Sequence, residues 1–179
     1  MELLAVVLGW LLADFLTGLF HWAEDRLAGD EWPVLGPLVF APNRLHHEQP
    51  MAFTRTGFVQ RNATSIAAAS IVFCAVLMAL WLAFGELPGF LLITLVSAAF
   101  GGAAANQVHY WAHVPHRAPR WIRKAQAIGL CQSRKHHACH HAAPQDRHYC
   151  ALTDWLNPAL DRSGFWHALE RLVPTRWLV

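Results

Sequence analysis

Residues Ala63 to Phe84 read ATSIAAASIVFCAVLMALWLAF and contain no charged side chain. A helix that crosses a bilayer needs about 20 mostly apolar residues, so this run predicts a membrane span. Working outward, Gly85-Glu86-Leu87-Pro88-Gly89 is a short polar hairpin, and Phe90 to Ala105 is again uncharged. That second run continues as a polar-ended helix to about His113. Toward the N-terminus, Leu3 to Phe20 is apolar except for Asp14. The sequence therefore predicts three transmembrane helices, at about 2–22, 63–84 and 89–112. A cleaved signal peptide is the other reading of the first run. It is disfavoured because the run lacks a basic start and ends on His21-Trp22 rather than on small residues.

Charge placement orients the bundle. With three spans, residues 23–62 and 113–179 share one side of the membrane. All 14 Lys and Arg residues fall there, four in the first segment and ten in the second. Such residues accumulate on the cytoplasmic side, which places the N-terminus outside. Seven of the nine tryptophans lie on that same side or at its boundary, as an aromatic belt does. Trp121 to Gln132 and Gly164 to Val173 read as interfacial amphipathic helices, and the apolar Val34 to Ala41 is too short to span. The expected fold is all-α: one membrane-embedded helical domain over residues 1–179, with a cytoplasmic, histidine-rich cap. Hydrophobic residues make up 55% of the chain and charged residues 15%, with a net charge of +2. That balance offers nothing to nucleic acid. Cys74, Cys131, Cys139 and Cys150 have no disulfide-framework or CxxC spacing.

The twelve histidines are the chemical signal, since imidazole is the commonest metal-ligating side chain. His21 ends the first span. His46-His47 begins an HHxxP motif ending at Pro50, and His109 and His113 form HxxxH at the end of the third span. His136-His137-Ala138-Cys139-His140-His141 closes in a second HHxxP at Pro144. Residues four apart share a helix face, so His109/His113, His136/His140 and His137/His141 can each point at one ion. Adjacent histidines can serve two ions. The candidate ligands are His21, His46, His47, His109, His113, His137, His140 and His141, with His136 as a spare. These are too many for one ion and suit two. Imidazole accepts several transition metals, so the residues alone do not choose among them. His116, His148 and His167 lack a partner at the right spacing and are expected to be structural.

Two acids share the face of the first helix that carries His21. Asp25 is four residues on, as a carboxylate ligand or an acceptor for a histidine N–H. Asp14 lies about 10 Å deeper at 1.5 Å rise per residue, where an acid faces the bundle interior. It is either a functional group or a packing partner of Asn106 or Gln107. Gly101 to Ala105 would let helices approach closely.

The order D-x3-G-x2-H-W-x2-D (Asp14 to Asp25), HHxxP, NQxHxWAH (Asn106 to His113), and RKHHxxHHxxP followed by Tyr149-Cys150 and Trp155-Leu156-Asn157 resembles the lipid desaturase family. That family has plasmalogen-type and plant plastid members. The resemblance covers nearly the whole chain. It implies a di-iron, O2-dependent desaturase that places a double bond in a lipid chain and takes electrons from a carrier such as cytochrome b5 or a ferredoxin. It matches the eight candidate histidines and, in plasmalogen-type members, His136. Plasmalogen-type members continue the first HHxxP region with a histidine and an acid where this chain has Thr56-Gly57. The resemblance thus implies the metal chemistry rather than a particular lipid.

Asp14 and Asp25 are the expected catalytic acids. Arg44, Arg134 and Lys135 are candidates for a phosphate headgroup, unless they are ordinary cytoplasmic charges. Two other functions fit the same residues. One is a di-metal lipid hydroxylase, separable by product mass. The other is a non-enzymatic metal carrier or sensor, separable by lipid-dependent oxygen uptake.

Overall fold

The computed structural model describes residues 1–179 and is all-helical. Three helices are long and apolar enough to cross a membrane: α1 (Glu2–Arg26), α3 (Phe58–Phe84) and α4 (Gly89–His113), with α2 (Ala41–Glu48) between the first two. Their most apolar windows have mean hydropathies of 2.1, 2.5 and 1.6. The spans run past the sequence boundaries at the histidine end. α1 continues four residues to Arg26 and α3 starts at Phe58, because both helices extend beyond the apolar window into the cap.

α4 is the central helix. α1 and α3 each pack along it, and they make little contact with one another. Small residues set the α1–α4 approach. A Cβ on Gly9 would run into the Thr94 carbonyl, and one on Gly101 would lie 2.7 Å from the Ala13 Cβ. Ser97 Oγ donates to the Val6 carbonyl at 2.8 Å across the same seam. α3 is attached on one face only. Ile71, Met78, Trp81 and Leu82 point outward, more than half exposed, as lipid-facing residues do when helix association does not rest on hydrophobic exclusion.

The cap is built from short elements at one end of the bundle. A π-helical turn over Gly36–Phe40 leads into α2. After α4 come α5 (Arg120–Ala127), α6 (Arg134–His141), α7 (Asn157–Arg162) and α8 (Phe165–Glu170). The expected helix 121–132 stops at Ala127, because Gly129, at φ +76°, turns the chain back toward α6. α8 likewise begins after Gly164 at φ +69°.

One non-helical segment enters the bundle. Tyr149, Cys150 and Leu152 are fully buried, with Leu152 packed among Ala13, Ala105 and Val108. Buried backbone needs partners, and polar side chains provide them. Asp14 Oδ1 accepts from the Leu152 and Thr153 N–H groups at 2.9 and 3.2 Å, and Oδ2 from the Thr153 hydroxyl at 2.5 Å. Asn157 accepts from the Cys150 N–H at 2.9 Å and donates to its carbonyl at 3.0 Å. Gln132 Nε2 donates to the same carbonyl at 3.1 Å. Asp14 therefore pairs with neither Asn106 nor Gln107. Asn106 donates to the Arg61 carbonyl, and Gln107 accepts from Arg61 and Asn62.

Candidate metal centre

The histidine ends of α1, α2, α4 and α6 converge. Helical i, i+4 spacing does the local work: His109/His113 on α4 and His137/His141 on α6 each present two rings to one point. α2 adds His46 and His47, and the end of α1 adds His21 and Asp25. The rings separate into two groups. The first holds His46, His109, His113, His137 and His141; the second holds His21, Asp25, His47 and His140. Within each group the ligand atoms all lie within 4.8 Å of one another.

In the first group the Nε2 atoms crowd together. His137 Nε2 lies 2.8 Å from that of His113 and 2.9 Å from those of His109 and His141. His46 Nε2 lies 3.2 Å from His113 and 3.1 Å from His141, and His109 lies 3.1 Å from His113. A neutral imidazole nitrogen is one donor or one acceptor, so three such neighbours at His137 are not three hydrogen bonds. Two nitrogens each about 2.0–2.1 Å from one ion, as in metal–imidazole bonds, lie about 3 Å apart when they subtend a right angle. The spacing is that of ligands around a cation.

The second group gives the same answer by proton accounting. The Nδ1 atoms of His21 and His140 lie 3.1 and 2.9 Å from the carbonyls of Tyr149 and Arg147. A ring that donates from Nδ1 in its neutral form has an unprotonated Nε2. Those bare Nε2 atoms face Asp25: His140 lies 3.3 Å from Oδ2 and His21 lies 4.0 Å from Oδ1. His47 Nε2 is 2.9 Å from Oδ1. Asp25 Oδ2 and the Nε2 atoms of His47 and His140 are buried without hydrogen-bond partners. Lone pairs aimed at a buried carboxylate repel unless a cation lies between them. The donor set of three imidazoles and a carboxylate is a metal-binding set. Asn43 Nδ2, 2.6 Å from Oδ1, holds the carboxylate in place.

Burial keeps the cap imidazoles neutral. Burial first, then the neighbouring rings, pushes His46 down to about 2 and His141 down to about 3. His137 and His140 are likewise pushed well below the ordinary histidine range, mainly by burial. Neutral imidazole is the form that ligates.

Two of the expected site residues lie elsewhere. His136 belongs to neither group. Its Nδ1 is 3.3 Å from Asp154 Oδ1, and its Nε2 is 2.6 Å from Asn157 Nδ2 and 3.2 Å from His148 Nδ1. About 100° of helical rotation separates it from His137, which turns its ring away from both groups toward Asp154 and Asn157. Asp14 also lies outside both groups, occupied with residues 152–153. Arg44 is paired with Asp30 at 2.8 Å in an exposed contact.

A cavity of about 680 Å³ leads from the first group into the membrane region, a size suited to a small-molecule site. It lies between α1 and α3, with α4 as its floor. Ala98, Ala99, Gly102 and Ala105 form the floor, and Leu16, Phe20, Val72 and Val76 form the sides. His46, His109 and His21 form its polar end, and Phe53 packs on the His109 ring with centroids 4.9 Å apart. From His109 to Leu95 the floor runs about 21 Å at 1.5 Å per residue. Half of an approximately 30 Å hydrocarbon core is about 15 Å, so the groove can take the full depth of one leaflet's lipid chain. Glu24 and Arg61 also line it. Sequence reading gave neither a role, since both fall just outside the predicted spans 2–22 and 63–84.

Residues 10–178 match the lipid desaturase domain family. The chain is 34% identical over 178 residues to plasmanylethanolamine desaturase 1 of Mus musculus, covering 96% of this chain and 64% of that protein. It is 33% identical to plasmanylethanolamine desaturase of Myxococcus xanthus, covering 94% of this chain and 59% of that protein. It is 34% identical to chloroplastic fatty acid desaturase 4 of Arabidopsis thaliana, covering 93% and 50%. The chain thus spans between half and two thirds of the length of these relatives. No solved structure matches it. The family match runs through every element that carries a grouped histidine, and the chain belongs to the lipid desaturase family.

Proposed function

We propose that this protein is a membrane-embedded desaturase that uses two iron ions and O2 to introduce a double bond into the alkyl or acyl chain of a phospholipid. The observation that carries this reading is the junction of two metal-ligand groups with an apolar groove that opens toward the bilayer. His46, His109, His113, His137 and His141 hold one ion, and His21, Asp25, His47 and His140 hold the other. Bound iron supplies the activation of O2 that breaking an unactivated C–H bond needs and that side chains lack. Relatives named for desaturation support the reaction type.

The protein's own groups do the rest. The groove walls align the chain on α4, so that one stretch of it lies against His109 and His46. The apolar lining excludes water, and Phe53 closes the polar end. The Tyr149 and Arg147 carbonyls fix the tautomers of His21 and His140 so that Nε2 faces inward. Asp14 acts at one remove, by holding residues 152–153 and hence the segment that bears those two carbonyls.

Removing two hydrogens from the lipid supplies half of the electrons that reduce O2 to two waters. The other two electrons come from a carrier such as cytochrome b5 or a ferredoxin. A cationic face supports such docking. Arg117, Arg120, Arg123, Lys124, Arg134 and Lys135 are all exposed, and no acid occurs between Glu86 and Asp146. The placement of every Lys and Arg on the cap side supports a cytoplasmic metal centre.

Lipid mass spectrometry of cells with and without the protein tests the reading. A lipid lighter by two hydrogens, formed only with the protein and absent with Asp25→Asn, supports it. A product that gains one oxygen assigns a hydroxylase, and an unchanged lipid profile assigns a metal carrier; either overturns it.

A further inference from the structure

A line of aromatic rings joins the second ligand group to the surface of the cap. Tyr149 is fully buried, and its ring centroid lies 5.4 Å from that of His140 and 5.9 Å from that of His21. Trp166, only 2% exposed, packs edge-on against Tyr149 with centroids 4.9 Å apart. Beyond Trp166 lies a polar recess of about 200 Å³, lined also by Asp161 and by the exposed Arg147 and His167. The two aromatic links differ in where a proton can go. The Tyr149 hydroxyl donates to the Gln145 carbonyl at 3.0 Å, and a backbone carbonyl does not keep a proton. Trp166 Nε1 donates to Asp161 Oδ1 at 3.0 Å, and a carboxylate does keep one. A buried indole N–H needs some acceptor; here the acceptor is a base that itself lines the recess. Neighbouring aromatic residues lack this arrangement. Trp22 Nε1 is buried without a partner. The Arg61 guanidinium lies 3.8 Å over the Tyr110 ring, and a cation there makes removal of an electron harder.

We propose that Tyr149 and Trp166 drain oxidising equivalents from the metal centre when the groove holds no lipid, with Trp166 as the residue that is oxidised. The need follows from the electron count. Half of the electrons that reduce O2 come from the lipid, so an empty groove leaves them unsupplied. The ligand imidazoles are then the nearest groups to be damaged, and excluding such competing reactions falls to the protein. Trp166 gives one electron through the Tyr149 ring to the metal centre and its Nε1 proton to Asp161. A neutral indolyl radical and a carboxylic acid result. A small-molecule thiol in the recess returns a hydrogen atom to the indole, and Asp161 releases its proton to water. Two such cycles supply the two electrons and two protons that the lipid would have given, and the two thiols leave as a disulfide. This inference rests on the di-iron reading of the site.

The test reads the radical rather than turnover. Iron-loaded protein, reduced anaerobically with dithionite and freed of lipid and excess reductant, is mixed with O2, frozen and examined by electron paramagnetic resonance. Wild-type protein should give an organic radical signal whose hyperfine structure changes when the protein is made with ring-deuterated tryptophan, and dithiothreitol should abolish it. Trp166→Phe keeps an aromatic ring in the cluster and should lose that signal. Peptide mass spectrometry should then find an added oxygen on His21 or His140 several-fold more often than in the wild type, while initial lipid turnover is unchanged. Asp161→Asn keeps the indole and removes the proton acceptor, so its signal should also fall several-fold. Absence of a tryptophan-derived signal in iron-loaded wild-type protein, an undiminished signal in either variant, or equal ligand oxidation in wild type and Trp166→Phe overturns the relay and leaves the di-iron reading standing. Protein that purifies from iron-replete cells without iron overturns that reading and the relay together.

Discussion

His46 and His47 are adjacent on α2, yet they face different metal groups. His46 Nε2 lies 3.2 Å from His113 Nε2, whereas His47 Nε2 lies 2.9 Å from Asp25 Oδ1. His140 and His141 divide in the same way on α6. About 100° of helical rotation separates neighbouring residues at 3.6 residues per turn, which carries one ring to each group. His47→Ala and His46→Ala should therefore each remove one metal ion while the other stays bound. Elemental analysis of the two purified variants should give about one ion per chain for each. A variant that loses both ions, or neither, would break the two-group assignment.

Stability of the metal-stripped protein should depend on pH with a definite sign. An unfolded histidine titrates near 6.5, while burial holds His46 at about 2 and His141 at about 3 in the fold. The unfolded chain then binds more protons below 6.5, so stability is fully present above that pH and is lost as pH falls from there toward 3. Ligand protonation also weakens metal binding in the same direction. Thermal unfolding of stripped protein should show a Tm that falls steadily below about pH 6.5. A Tm that is flat from pH 7.5 to 5 would contradict the burial of neutral imidazoles.

Asp14→Asn separates a positioning role from ligation. An amide keeps an oxygen for the Leu152 and Thr153 N–H groups, but it removes the charge that strengthens all three bonds and sets an N–H group against the Thr153 hydroxyl. Hydrogen bonds to charged groups contribute about 1.5–3 kcal/mol each, so a clear loss of stability is expected. Turnover should fall about 10–100-fold, as for other outer positions around metal sites. Metal content should remain near two per chain in the folded fraction. Loss of an ion from well-folded Asp14→Asn protein would instead make Asp14 a ligand.

Most of the site was legible in the sequence because metal ligation uses short-range helical spacing. The pairs at i, i+4 and the doublets His46-His47 and His140-His141 announce themselves, and the uncharged runs announce the spans. Long-range partners were not legible. From the sequence Asp14 is either a functional group or a partner of Asn106 or Gln107; in the fold a segment about 138 residues away in sequence enters the bundle and takes its oxygens. No periodic pattern marks that segment, since its backbone is held by the side chains of Asp14, Gln132 and Asn157 rather than by a helix. His136 sits in the correct motif but turns its ring away from both groups, toward Asp154 and Asn157. Arg44 is spent on Asp30, and Arg61, within α3, is the cation that reaches the groove.

The groove makes a prediction independent of the metal. Ala99 lies on its α4 floor, so Ala99→Phe should fill the path of the chain. Lipid turnover should fall at least tenfold with metal content unchanged. His167, whose side chain is 57% exposed, serves as a surface control, and His167→Ala should keep wild-type turnover and a stability within about 0.5 kcal/mol. Full turnover by Ala99→Phe would place the substrate elsewhere.

The most direct test of the central claim is the iron content of the wild-type protein purified from iron-replete cells. Nine candidate ligand residues in two groups predict close to two iron ions per chain, both released together with activity by a chelator. One tightly held zinc ion per chain, with no iron, would contradict the account.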